Sequence, residues 1–199
     1  MKNILVLGAG RSASSLIKYL LENSSKENWR ITVTDVSEDM AKKKTGNHPN
    51  SVAISFDAND KEQRIREIGN ADIVISMLPP AMHIKIAKDC ITLQKHMVTA
   101  SYVSDEMKKL NSKAKKAGVV IMNEIGVDPG IDHMSAMRVI DEVKEAGGKM
   151  IQFESFTGGL VAPESDNNPW NYKFTWNPRN VILAGQGTAV KFIQENQYK

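Results

Sequence analysis

Three groups of residues have the types and spacing to do chemistry. The first is Gly8-Ala9-Gly10-Arg11-Ser12-Ala13, a GxGxxA turn. Gly8 suits a tight turn, Gly10 lets the backbone approach a pyrophosphate, and Ala13 allows close helix–strand packing. Phosphates then sit on the free N–H groups at the positive end of the following helix, with Gly8, Gly10, Arg11, Ser12 and Ala13 as the cofactor-binding residues. Asp35 stands 25 residues beyond Gly10, against the usual ~20 in such units, a difference assigned to a longer loop at Asn23–Asn28. A carboxylate there accepts hydrogen bonds from the adenosine ribose and repels a 2′-phosphate, so Asp35 favours NAD over NADP. The second group is Thr99-Ala100-Ser101-Tyr102. The third is Asn123-Glu124-Ile125-Gly126-Val127-Asp128-Pro129-Gly130-Ile131-Asp132-His133, where a carboxylate, Asp128, precedes a Pro-Gly turn and a helix start. Asp132 reads as the N-cap of that helix and His133 as a first-turn residue. Asp128 lies outside the helix and is the candidate for a substrate or catalytic role.

These groups need a scaffold that brings strand ends together. Up to about residue 155 short apolar runs alternate with amphipathic ones, the pattern of strand–helix–strand units around a parallel sheet. Strands are expected at Asn3–Leu7, Arg30–Thr34, Ser51–Ser55, Ile73–Ser76, His96–Thr99, Val119–Met122 and Met150–Phe153. Ala13, Leu16, Ile17, Leu20 and Leu21 form one apolar stripe on a first helix. Further helices are expected at Glu38–Lys44, Lys61–Ile68, Met82–Ile91, Asp105–Ala117 with Ser104 as its cap, and Asp132–Ala146. Ligands of doubly wound sheets lie outside the carboxyl ends of the strands. That places Asp57 near an adenine, Leu78 and Pro79 alongside the dinucleotide, and Thr99-Ala100-Ser101-Tyr102 near the nicotinamide.

Composition limits the alternatives. The 199 residues carry 26 Lys+Arg and 23 Asp+Glu, giving 26 − 23 = +3. So small a charge, spread over several helix-like stretches, argues against a nucleic-acid or acidic-membrane surface. One cysteine, Cys90, excludes an internal disulfide framework and points to a reducing, cytoplasmic setting. No apolar stretch approaches the ~20 residues of a membrane span. The four histidines, His48, His83, His96 and His133, show no metal-ligand spacing and no metal is expected. No base is positioned for Ser12, Ser14 or Ser15, so a serine hydrolase is not supported.

The runs GAGRSA, VTASYVS, MNEIGVDPGIDHM and FTGGLVAPESDNNPWNYKFTWNPRNVILAGQG together resemble the saccharopine dehydrogenase (saccharopine reductase) family, its glutamate-forming branch above all. The resemblance covers essentially the whole chain and implies a Rossmann-type doubly wound sheet in residues 1–125. Residues 126–199 are then the beginning of a second, α+β substrate domain, expected to be incomplete, and the 199-residue chain is expected to be inactive on its own. It also implies NAD(P)-dependent hydride transfer at the carbon bearing a secondary amine, converting saccharopine to or from glutamate and aminoadipate semialdehyde in lysine metabolism. By motif, the substrate region falls on Ser101, Tyr102, Asp128, Gly158 and Gly159. Some members carry a cysteine where Thr157 stands. Members often use NADP(H), against the charge of Asp35, although Lys42 or Lys43 would compensate a phosphate if their loop folds back.

For that chemistry the amine must lose a proton, and imine hydrolysis needs an acid and a base in turn. Asp128 and Tyr102 are the catalytic candidates, and Arg179 is the candidate for a bidentate substrate-carboxylate contact. The partner is a small amino-acid substrate. Three readings stay open: this enzyme, a related amino-acid or polyamine reductive-condensation enzyme, and a non-catalytic dinucleotide-binding module. Oligomeric state stays open as well, a homodimer included.

Overall fold

The computed structural model describes residues 1–156, 159, 161–174, 178–184 and 193–198. The chain divides into two compact units, Met1–Phe153 and Glu154–Lys199. The first runs β1 (Lys2–Leu7), α1 (Ser14–Glu27), β2 (Trp29–Asp35), α2 (Glu38–Thr45), β3 (Ser51–Ser55), α3 (Lys61–Gly69), β4 (Ile73–Ser76), α4 (Pro80–Thr92), β5 (His96–Val98), α5 (Asp105–Lys108), α6 (Asn111–Ala117), β6 (Ile121–Met122) and α7 (Ile131–Glu145). Its six strands are parallel in the order β3-β2-β1-β4-β5-β6. That is the doubly wound Rossmann order expected from the alternating pattern, with its switch point between β1 and β4.

β1 lies in the middle and feeds both cores. Ile4 and Val6 pack with Ile17, Leu20, Leu21, Ile31 and Val33. Leu5 and Leu7 pack on the other face with Val74, Ile86, Cys90, Met97 and Phe56. A strand buried on both faces reads as a continuous apolar run, as Ile4-Leu5-Val6-Leu7 does. Each fully buried Leu or Ile contributes about 1.5–3 kcal/mol relative to exposure.

Four elements depart from the sequence reading. The expected loop at Asn23–Asn28 is the continuation of α1 to Glu27, ended by Asn28 in the left-handed conformation at φ 56°. Ser24 lies buried within it, and its hydroxyl is satisfied by donating to the Leu21 carbonyl at 2.7 Å. The long spacing from Gly10 to Asp35 is therefore extra helix. Residues 105–117 form two short helices, with Ser104 Oγ capping the first by accepting from Met107 N at 3.1 Å. The strand expected at Met150–Phe153 is absent, and Ile151 and Phe153 are exposed. Among the described residues it has no ladder partner, and alternation over four residues does not by itself hold a strand.

The fourth departure is the cap of α7. Gly130, not Asp132, occupies the N-cap position, at φ 151°. A Cβ there would overlap the Gly126 carbonyl and amide, so only glycine fits. Asp132 lies inside the first turn and reaches back, its Oδ1 accepting from Gly130 N–H at 2.9 Å.

The second unit holds α8 (Pro178–Ala184) and an antiparallel pair, β7 (Ile193–Gln194) and β8 (Gln197–Tyr198). Tyr172 and Phe174 pack edge to face, centroids 5.5 Å apart. Among the described residues no helix is long and apolar enough to cross a membrane.

Candidate functional site

The glycine turn sits at the carboxyl end of β1, between the ends of β2 and β4. Gly8 N–H donates to the Thr34 carbonyl at 2.9 Å, and Met77 N–H donates to the Leu7 carbonyl at 2.8 Å. Gly8 has φ 102°, and a Cβ on it would lie 3.0 Å from the Met77 carbonyl oxygen. Glycine is therefore required by its neighbour as well as by its own backbone. Around Gly10 a Cβ would meet open space, and Arg11 and Ser12 are exposed. Arg11–Ala13 form one 3₁₀ turn leading into α1, whose leading N–H groups have no partner within the helix. Ala13 is buried against β1 and β2. Open space, helix start and small residues together fit a dinucleotide pyrophosphate.

Asp35 ends β2 beside this turn. Its Oδ2 accepts from Ala9 N–H at 3.0 Å and its Oδ1 from Ser37 N–H at 3.2 Å. Asp57 is exposed after β3, and its Oδ1 accepts from Asn59 N–H at 2.8 Å, which makes it a turn former there. Leu78 is half-buried and packs against the core below β4, while Pro79 precedes α4 as its cap residue. Lys42 is ion-paired with Glu38 at 2.7 Å, which raises its pKa through the Glu38 hydrogen bond and charge.

The loops after β5 and β6 are stitched together. Glu124 N–H donates to the Ser101 carbonyl at 3.1 Å, and Glu124 Oε1 accepts from Val103 N–H at 2.9 Å. Asn123 Nδ2 donates to the same Ser101 carbonyl at 3.4 Å. Tyr102, on this loop, is 64% exposed. Next comes the turn, where Gly126 N–H donates to the Pro129 carbonyl at 2.9 Å and Ile131 N–H to the Gly126 carbonyl at 3.0 Å. This closed turn presents Asp128 on its outside, exposed, while Pro129 and Gly130 are buried.

Asp128, Asp132 and His133 bring ligand-type atoms within 4.8 Å of one another, a gathering that histidine spacing alone does not reveal. His133 Nδ1 lies 2.8 Å from Asp132 Oδ1. That hydrogen bond, followed by the Asp132 charge, raises the His133 pKa, and the same bond lowers that of Asp132.

Below Ser101 is a group that sequence reasoning missed. His83, in α4, is buried with Nδ1 2.8 Å from Ser76 Oγ and Nε2 2.8 Å from Ser101 Oγ. The available signal is His83 on the stripe His83, Ile86, Ala87, Cys90, a polar ring where the helix is otherwise apolar. Of the remaining candidates, Gly159 and Arg179 belong to the second unit, where a Gly159 Cβ would touch Tyr172 at 3.4 Å. Gly158 lies outside the described residues.

Comparison with known proteins assigns both parts of the chain. Residues 4–122 match the saccharopine dehydrogenase NADP binding domain, and residues 126–199 the saccharopine dehydrogenase C-terminal domain. Saccharopine dehydrogenase [NADP(+), L-glutamate-forming] of Pyricularia oryzae is 43% identical over 188 residues, covering 94% of this chain and 41% of that protein. Its counterpart in Schizosaccharomyces pombe is 43% identical over 197 residues, covering 99% and 43%. The apo structure of saccharopine dehydrogenase (L-Glu forming) from Saccharomyces cerevisiae superposes with a TM-score of 0.85 at 38% identity. It is matched over 100% of this chain and 44% of its own. The chain thus spans less than half the length of these relatives.

Proposed function

The chain belongs to the saccharopine dehydrogenase family, and from that premise we propose that it supplies the dinucleotide site and part of the substrate site of an NAD(P)-dependent oxidoreductase of lysine metabolism. The reaction is hydride transfer at the carbon bearing the secondary amine of saccharopine, to or from glutamate and aminoadipate semialdehyde. We place the division between dinucleotide-binding and substrate domains at residue 125, in keeping with matches that end at 122 and resume at 126. The observation that carries the reading is the stitching of the Ser101 and Glu124 loops. It holds Ser101, Tyr102 and the Asp128 turn beyond the carboxyl ends of β5 and β6, as the glycine turn lies beyond the carboxyl end of β1.

Residues 8–13 hold the pyrophosphate and Asp35 holds the adenosine ribose. A bound nicotinamide dinucleotide supplies the hydride acceptor or donor. The chain's own residues orient the amine and handle protons. Asp128, an exposed carboxylate on a closed turn, pairs with the substrate ammonium and takes part in its deprotonation with Tyr102. Arg179 binds a substrate carboxylate. Asp35 shifts relative preference toward NAD, although the named relatives are NADP(+) enzymes. The single cysteine, a buried free thiol, supports a reducing, cytoplasmic setting.

The test is an assay of the full-length protein with saccharopine and NAD⁺ or NADP⁺, following nicotinamide reduction and glutamate release. Saccharopine-dependent production of both is the expected result. Dinucleotide binding with no reduction would overturn the reading in favour of a non-catalytic module.

A further inference from the structure

We propose that His83 is a positioning residue whose ring fixes Ser101 as a hydrogen-bond donor toward a substrate carboxylate, through the chain Ser76–His83–Ser101. The proposal rests on the reading of Ser101 as a substrate residue.

His83 shares the inward stripe of α4 with Ile86, Ala87 and Cys90, all buried. A polar ring in that position must satisfy both nitrogens. It does so across two strand ends. Nδ1 meets Ser76 Oγ at the end of β4, and Nε2 meets Ser101 Oγ just beyond β5, each at 2.8 Å. Burial pushes the His83 pKa down to about 4, so near neutrality the ring carries one N–H proton, on one nitrogen or the other.

The position of that proton follows from Ser76. Its side chain is wholly buried, and among the described residues its hydroxyl bonds only to His83 Nδ1. A hydroxyl always has a proton to place. If Nδ1 held the ring proton, the Ser76 proton would be buried without an acceptor, which is the expensive arrangement. Nδ1 therefore accepts from Ser76, and the ring proton sits on Nε2. The nearer acceptor for Nε2–H is Ser101 Oγ at 2.8 Å. Thr99 also has a buried hydroxyl, but at 3.5 Å from Nε2 its claim on that nitrogen is far weaker than that of Ser76 on Nδ1 at 2.8 Å, and its oxygen accepts from Ser101 N–H at 3.3 Å.

Ser101 Oγ thus receives a hydrogen bond from below and keeps its own proton for the half-exposed side. Its carbonyl is engaged by Glu124 N–H and Asn123 Nδ2, so the hydroxyl is the group left to contact a ligand. A directed O–H seeks an anionic oxygen. Asp128, a carboxylate, seeks a cation. The two residues therefore suit the carboxylate and the ammonium of an amino-acid centre, with His83 setting the sign of the first.

The test is ¹⁵N NMR of histidine-labelled full-length protein, with His83 assigned by its loss in His83→Gln. An unprotonated, imine-type Nδ1 and a protonated, pyrrole-type Nε2 are expected, and a proton on Nδ1 overturns the proposal. In kinetics with saccharopine, His83→Leu is expected to raise KM about tenfold, the scale of a hydrogen bond to a charged group, with the dinucleotide Kd within twofold. Ser101→Ala is expected to match it, the double variant to add nothing further, and His83→Gln, which keeps one donor and one acceptor, to recover most of the loss. Additive effects of the two single variants overturn the proposal. The tautomer is read without substrate, so a wild type that fails to turn over saccharopine defeats the site reading separately.

Discussion

Asp35 Oδ2 accepts a hydrogen bond from Ala9 N–H at 3.0 Å, tying the end of β2 to the glycine turn that follows β1. The carboxylate proposed to face the ribose is therefore also a structural part of the glycine turn proposed to hold the phosphates. Charge and scaffold are separable by substitution: Asp35→Asn keeps an acceptor for Ala9 and removes the charge. The ratio Kd(NADP⁺)/Kd(NAD⁺) is expected to fall about tenfold in Asp35→Asn, the scale of one relieved like-charge contact. Calorimetric titration with both dinucleotides measures it. An unchanged ratio removes Asp35 as the discriminating residue.

Stability is expected to fall in acid because of His83. Its folded pKa, about 4, lies below the ordinary 6.5, so the unfolded chain takes the proton first. The stabilisation is complete above about pH 6.5 and is lost as pH falls toward 4, on the order of 2 kcal/mol by pH 5. Urea midpoints at pH 7.5 and pH 5 should differ more in the wild type than in His83→Leu. Equal differences would contradict the assignment.

Arg64 and Asp89 join α3 to α4 by a nearly buried ion pair, Nε to Oδ2 at 2.6 Å, and Arg64 Nη1 also donates to the Ala58 carbonyl at 2.8 Å. Arg64→Ala leaves a carboxylate with little water, and a loss of about 3 kcal/mol is expected. Removing both charges, in Arg64→Met with Asp89→Leu, should cost less than the single change. Thermal melts of the three variants decide this, and a loss below about 0.5 kcal/mol in Arg64→Ala would show the pair to be unimportant.

Gly130→Ala forces a Cβ into the Gly126 backbone at a positive φ. The turn carrying Asp128 must then shift, while the glycine turn after β1 is untouched. KM for saccharopine is expected to rise at least about tenfold with dinucleotide affinity unchanged. Parallel loss of both would indicate general unfolding instead.

The dinucleotide half was readable because its signals are local. Gly8 and Gly10 follow an apolar strand, Ile17, Leu20 and Leu21 repeat on one helix face, and Ser37 and Ser104 precede helices they do cap. What sequence could not give depends on partners far along the chain. Met150–Phe153 alternates like a strand but pairs with no other strand among the described residues. Asp132 has the right type for a cap and loses that position to a glycine required by the Gly126 backbone. His83 meets Ser76 and Ser101 only once β4 and β5 lie side by side, and no spacing rule encodes that meeting.

The central place of β1 also dictates an order of assembly. As the chain emerges during synthesis, β2 is the first strand able to line its flank, while β4, which covers the other from Ile4 against Ile73 to Leu7 against Ser76, comes only after α2, β3 and α3. Until then the first of the six strands has one naked border, the kind of ribbon that invites a neighbouring nascent chain to dock. The Ile73–Ser76 strand is the element that ends that exposure.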